Sequence, residues 1–147
     1  MSSLQFFLID EAKSKGLKFG PPRDGDAGFD LPALESTVIA PGTFAAIRTG
    51  VHVAIPNGFV GIVRDRSSLG FRGALTGAGV IDSSYRGEIK ILMHNFGTEP
   101  LVFEPGDRIA QLVVLSYLPG RQSAAAPSLE ALGETERAAA GFGSTGR

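Results

Sequence analysis

The chain has 147 residues, 43% of them hydrophobic and 20% charged, with a formal net charge of −1. That length suits one domain able to bury a sizeable core, and nothing in the composition or the near-neutral balance suggests a nucleic-acid-binding surface of the usual basic kind or a disordered chain. There is no cysteine, so disulfides and thiolate metal sites are excluded as well.

The N-terminal stretch MSSLQFFLIDEA lacks a basic n-region and has only a short apolar run, which does not read as a signal peptide. No stretch approaches the roughly 18 apolar residues of a membrane helix. The expectation is a soluble, cytoplasmic protein with neither a membrane nor a nucleic acid as partner. Runs rich in Val, Ile, Phe and Leu at 4–9, 37–40, 43–47, 51–55, 59–64, 88–94 and 108–118 predict short strands. Turn signals separate them: Pro-Gly at 41–42, Pro-Asn-Gly at 56–58 and Pro-Gly at 105–106. Proline presets φ, and glycine or asparagine accepts φ > 0. Many strands at this spacing predict an all-β sandwich or barrel. Helix signals are poor before residue 119. The best helix candidate is 128–140, with Ser128 as cap and Gly133 as an internal cost.

Chemistry-bearing segments punctuate the same order. Ala27-Gly28-Phe29-Asp30-Leu31 places an acid at a strand start, where a structural aspartate is one reading. Arg64-Asp65-Arg66-Ser67-Ser68-Leu69-Gly70 joins cations to two hydroxyls, a set that suits phosphate oxygens or forms an Arg–Asp surface pair before a turn. GVIDSSYRGEI at 79–89 reads as a hairpin turn, yet it carries an acid, an aromatic and an arginine that a plain connection does not need. Gln111 interrupts an apolar run after Pro105-Gly106-Asp107-Arg108, as a core amide or a ligand group. After Pro119 the chain is Ala-rich and short of large apolar residues, which reads as a mobile arm. It ends in GFGSTG at 141–146, either a tail or a loop whose N–H groups and hydroxyls wrap a phosphate while Phe142 stacks on a flat ligand. His52 and His94 have no carboxylate or second histidine at metal-ligand spacing and read as structural.

AGFDL at 27–31, RSSLG at 66–70, GAGVIDSSYRGEI at 77–89, PGDRIAQL at 105–112 and GFGSTG at 141–146, with Arg137 ahead of Phe142, together resemble the homotrimeric deoxyuridine triphosphatases, or dUTPases. The resemblance spans most of the chain. It implies a jelly-roll-like β-clip barrel at 1–118, a linker arm at 119–136 and a flexible C-terminal lid motif at 137–147. It implies hydrolysis of dUTP to dUMP and pyrophosphate, which limits uracil incorporation into DNA and supplies dUMP for dTMP synthesis. The implied partners are dUTP and two further copies of the chain, with each site shared between subunits. The implied cofactor is Mg²⁺, bound mainly by the substrate phosphates and waters.

Residue by residue, the resemblance makes Asp82 the base that deprotonates the attacking water. The backbone of Gly77, Gly79, Val80 and Ile81, with Lys90, would read uracil, and Tyr85 would pack against the deoxyribose and exclude a 2′-hydroxyl. Asp30 would hold metal-bound waters. Arg66, Ser67, Ser68 and Gln111 would hold the phosphate chain. Arg137 would reach the γ-phosphate, Phe142 would stack on uracil, and Gly143, Ser144 and Thr145 would wrap the phosphates from another subunit, the arm ordering when nucleotide binds. Three departures stand out: Ser84 where an acid is common, Asp65 where proline is common, and Ala138 to Ala140 in place of a glycine-rich spacer. Asp65 is expected either to weaken the phosphate contact or to pair with Arg64. The competing readings are a dCTP deaminase, which would need a glutamate proton shuttle in the return strand where Glu88 lies, and a catalytically silent nucleotide sensor.

Overall fold

The computed structural model describes residues 3–135. They form two compact units, divided between Tyr117 and Leu118. The first unit carries ten strands: β1 (Gln5–Leu8), β2 (Gly28–Pro32), β3 (Thr37–Ile39), β4 (Phe44–Ala54), β5 (Phe59–Arg64), β6 (Ala74–Gly77), β7 (Val80–Ile81), β8 (Glu88–Asn95), β9 (Leu101–Phe103) and β10 (Arg108–Ser116). One four-stranded sheet runs β1-β4-β8-β6, a second runs β2-β10-β5-β7, and β3 pairs with β9. Two short helices, α1 (Asp10–Ser14) and α2 (Ser67–Gly70), complete the unit. The all-β expectation holds.

The strand pattern follows from the pleat, which sends alternate side chains to opposite faces. In β8, Ile89, Ile91, Met93 and Asn95 are buried while the residues between them are not. They meet Leu31, Val63, Ile109 and Leu112 in one apolar core, each large aliphatic side chain contributing about 1.5–3 kcal/mol on full burial. Asn95 is tolerated there because it is satisfied: its Nδ2 donates to the carbonyls of Ile39 (2.8 Å) and Glu99 (2.9 Å), and its Oδ1 accepts from the Gly97 N–H (2.9 Å).

The structure corrects three expectations. The runs at 43–47 and 51–55 belong to a single strand, β4, whose register against β8 shifts between Arg48 and His52. The expected helix at 128–140 is, within the described residues, one 3₁₀ turn at Glu130–Leu132. Ser128 Oγ does accept from the Ala131 N–H (3.3 Å), but Gly133 at φ +82° takes the left-handed conformation that ends helices.

The third correction concerns 79–89. This segment does not close a simple hairpin, because β7 and β8 do not pair. β7 joins the second sheet through Gly61↔Ile81 and Ile62↔Val80, whereas β8 lies in the first sheet between β4 and β6. The chain leaves β6 after the pair Gly77↔Leu92. Ala78, at φ +48°, turns it aside, and the Gly79 carbonyl accepts from the Val63 N–H at 2.7 Å to begin the new pairing. A left-handed backbone at a residue with a Cβ costs free energy and is found where surrounding structure imposes it.

The second unit, from Leu118, has one-turn 3₁₀ helices at Gly120–Gln122 and Glu130–Leu132. None of its described residues is buried.

Candidate active site

The divergence of β7 from β8 opens a cleft of about 300 Å³ lined by Ala78, Val80, Ile81, Asp82, Tyr85, Glu88, Ile89 and Lys90. β7 is the edge strand of its sheet, so one row of its backbone groups has no strand partner. The last β6 partner of β8 is Leu92, so the β8 backbone before Leu92 is also unpaired on its β6 side. Two strand edges without a strand partner on that side therefore face one cavity. The expected site residues Val80, Ile81, Asp82, Tyr85 and Lys90 line it directly. Gly77 and Gly79 sit in the backbone on either side of Ala78 without lining it.

The turn that closes this cleft has a defined shape. The Tyr85 N–H donates to the Asp82 carbonyl (3.0 Å), and one Arg86 guanidinium nitrogen donates to the carbonyls of Ser83 and Tyr85 (2.7 Å each). The Tyr85 hydroxyl donates to the Glu88 carbonyl (3.0 Å). That approach needs Gly87: a Cβ there would stand 2.3 Å from the Tyr85 hydroxyl. The Asp82 side chain remains exposed at the cleft.

Glu88 is held from behind. Its carboxylate accepts from Arg48 Nη2 (3.0 Å), Arg48 Nε (3.2 Å) and the Gly50 N–H (2.9 Å). Burial raises its pKa, but the Gly50 N–H and the Arg48 guanidinium outweigh burial and leave the group below its ordinary value.

The other expected residues gather elsewhere on the first unit. In the second sheet Gln111 stands opposite Asp30 on one side and Arg64 on the other. Asp30 bridges Arg66 Nε (3.1 Å) and Arg108 Nη1 (3.2 Å), and Arg66 Nη1 donates to the Arg108 carbonyl (3.1 Å). Gln111 Nε2 donates to the Asp65 carbonyl (2.9 Å), fixing the chain just before Arg66. Asp30, Arg66, Arg108 and Gln111 line a groove of about 1040 Å³, into which Lys18 and Arg23 also face. Ser67 and Ser68 head α2 beside it and are exposed.

The expected pairing of Asp65 with Arg64 is not formed. Its carboxylate accepts from the Thr76 N–H at 2.6 Å, bracing β6 rather than pairing with Arg64, and Arg66 is engaged with Asp30 instead. Nothing in the sequence assigns a role to Arg108, although it lies in the quoted PGDRIAQL, or to Arg48. Ala78 carried a faint signal, an alanine between two glycines where the chain must turn. Arg137, Phe142, Gly143, Ser144 and Thr145 lie outside the described residues.

The family model described as dUTPase matches residues 18–146. The chain belongs to the dUTPase family. The deoxyuridine 5'-triphosphate nucleotidohydrolase of Rhizobium etli is 44% identical over 147 residues, covering 95% of this chain and 92% of its own. That of Anaeromyxobacter is 43% identical over 138 residues, covering 87% and 91%. Among solved structures, the Staphylococcus bacteriophage 80alpha dUTPase with dUPNHPP is 26% identical with a TM-score of 0.86, each chain covered completely. A dUTPase from phage phi11 of S. aureus, described with a structural Mg(II) ion, shares the fold at 24% identity and a TM-score of 0.76.

Proposed function

We propose that this chain is a dUTP diphosphatase that hydrolyses dUTP to dUMP and pyrophosphate. The observation that carries this reading is the cleft between β7 and β8, where two free strand edges meet the exposed carboxylate of Asp82 and the ring of Tyr85. Free backbone edges pair with the donor and acceptor edge of a uracil. A cleft bounded by backbone has no room for the methyl of thymine, and its donor order opposes cytosine. Tyr85 packs on the deoxyribose where a 2′-hydroxyl would stand. Asp82 takes the proton of the water that attacks the α-phosphorus in line.

The phosphate chain lies along Arg66, Ser67, Ser68 and Gln111, whose charge and hydroxyls offset the charge that develops on the leaving pyrophosphate. Among the described residues no group of three or more His, Asp or Glu could hold a metal ion. Asp30, already bridging two guanidiniums, fits the role of accepting from metal-bound waters rather than ligating directly. Mg²⁺ carried in by the triphosphate suits that donor set, because it keeps its waters and uses few carboxylates. It would neutralise phosphate charge there.

The active unit is a homotrimer with shared sites. Asp30, Arg66 and Gln111 line one cavity, and Asp82, Tyr85 and Lys90 line another. A second copy brings them together, and the fifth motif, from Arg137 through Phe142 to Thr145, closes over the nucleotide from the third. The deaminase reading would need Glu88 as its proton shuttle, and the Glu88 carboxylate is instead engaged by Arg48 and the Gly50 N–H. The test is pyrophosphate release from dUTP against dTTP, dCTP and UTP. The expected result is a preference for dUTP of about 10²-fold or more in kcat/KM, since each unmet polar contact at a site of this kind rejects strongly. Ammonia release from dCTP, or equal turnover of all four nucleotides, would overturn the reading.

A further inference from the structure

We propose that His52 is a positioning residue for the catalytic turn: its Nδ1–H, donated to the Arg86 carbonyl, fixes the segment that presents Asp82 and Tyr85 to the nucleotide. The inference rests on the hydrolase reading above. His52 sits in β4, half-buried and paired in register with Glu88 across the first sheet. Its Nδ1 lies 2.9 Å from the Arg86 carbonyl oxygen. A carbonyl only accepts, so Nδ1 carries the hydrogen. The neutral Nδ1–H tautomer and the imidazolium both supply it, and the contact does not depend on the charge of the ring.

The other hydrogen bonds of the turn are local. Tyr85 to Asp82, Arg86 to Ser83 and Tyr85 to Glu88 each span three residues. Such bonds fix the shape of the turn but not its place. The bond from His52 crosses 34 positions of sequence and joins the turn to the first sheet. The ring is itself oriented. Phe7, its partner in β1, meets it edge-on with centroids 6.4 Å apart, and Lys13 Nζ lies over the Phe7 ring at 4.5 Å from its centroid.

His52 also ends a stretch of β4 in which side chains replace missing ladder bonds. Between Arg48 and His52 the register shifts, with Gly50 at φ +69°. There the Thr49 hydroxyl donates to the Ile89 carbonyl (2.6 Å), and Arg48 and the Gly50 N–H hold the Glu88 carboxylate. Residues 86, 88 and 89 are thus each gripped from β4, and 88 and 89 are walls of the base cleft. A bulge that re-aims a strand beside a functional site is a recurrent device. Here it seats both the cleft floor and the turn above it.

The test compares full-length wild type, His52→Ala and His52→Asn, whose Nδ2 can take the place of the ring Nδ1. With dUTP, His52→Ala should lower kcat about tenfold, because small misplacement of a catalytic group is costly. It should also lower the dUTP-over-UTP ratio of kcat/KM by about the same factor, since Tyr85 rides on the same turn. His52→Asn should recover both to within about threefold. Unchanged kcat and unchanged ratio in His52→Ala would overturn the inference. So would a loss in His52→Asn equal to that in His52→Ala, or a lowered Tm with both kinetic readouts intact. Failure of wild type to release pyrophosphate from dUTP would instead sink the hydrolase reading itself.

Discussion

The proposed base cleft and the proposed phosphate groove are built on opposite principles. In the groove, the proposed recognition resides in side chains: Asp30 on β2 is cross-tied by ion pairs to Arg108 on the adjacent β10 and to Arg66 at the head of α2, with the Gln111 amide beside them. In the cleft it resides in backbone, at two strand edges left unpaired because β7 and β8 belong to different sheets. Charge acts over several ångströms and tolerates displacement, so the groove can be assembled from flexible arginines and serines. Reading a base by hydrogen bonds needs donors placed within a few tenths of an ångström, and a sheet provides that placement more rigidly than long side chains can. The difference teaches where each part of the enzyme is fragile: the groove to loss of charge, the cleft to loss of position.

The sharpest break in this comparison is Asp82→Asn. It removes the base and keeps the shape, so turnover of dUTP should fall about 10³-fold while affinity for a non-hydrolysable dUTP analogue stays near that of wild type. Isothermal titration beside a pyrophosphate assay separates the two quantities. A variant that turns over dUTP normally would remove Asp82 from the mechanism, and one that no longer binds would make it part of base recognition instead.

A second break asks whether the two regions, proposed to form one working site, belong to different copies. Asp82→Asn spoils the cleft, and Arg66→Ala spoils the groove. Each alone should be nearly inactive. Unfolded, mixed in equal amounts and refolded, the two should regain about one quarter of wild-type activity per site, the random chance that an intact cleft faces an intact groove across a symmetric interface. If cleft and groove of the same chain served one site, the mixture would stay as inactive as its parts.

How much of this was legible in the sequence follows the same division. The strand runs, the turn chemistry and the order of the five segments carried the all-β architecture, and Asp82, Tyr85 and Lys90 do share a cavity as read. What the sequence hid was long-range pairing. Asp65 has Arg64 and Arg66 as neighbours, and a local reading pairs it with one of them, yet its partner is a backbone N–H at Thr76. Asp30 and Arg108 lie 78 positions apart, and only the β2–β10 ladder brings them together. The opening of 79–89 between two sheets was hidden for a related reason. Val80 and Ile81 look the same whether they pair with β5 or with β8, and the deciding event is the backbone of Ala78, whose left-handed φ no propensity of alanine predicts. The lid segment from Arg137 onward falls outside the described residues, so the comparison does not extend to it.

The smallest expected effect sharpens the comparison from the stability side. The Glu88 carboxylate, behind the cleft, is where charge is used to hold position rather than to bind substrate. Its pKa lies below the ordinary 4.5 because the contributions of Gly50 and Arg48 exceed the opposing effect of burial. A group whose folded pKa is depressed contributes stability that is fully present above its unfolded value and is lost as pH falls through the folded value. Glu88→Gln keeps the shape and removes the charge. At pH 7 it should cost about 1.5–3 kcal/mol, the worth of hydrogen bonds to a charged group, seen as a Tm lower by several degrees. The gap should hold steady from pH 8 down to about 5 and narrow below 4.5, where the wild-type carboxylate protonates as well. Matched thermal melts across pH 3–8 check it. A gap that persists undiminished at pH 3 would mean that Glu88→Gln costs stability through the packing of the new amide, and that the Arg48 contact is incidental to how the cleft is held.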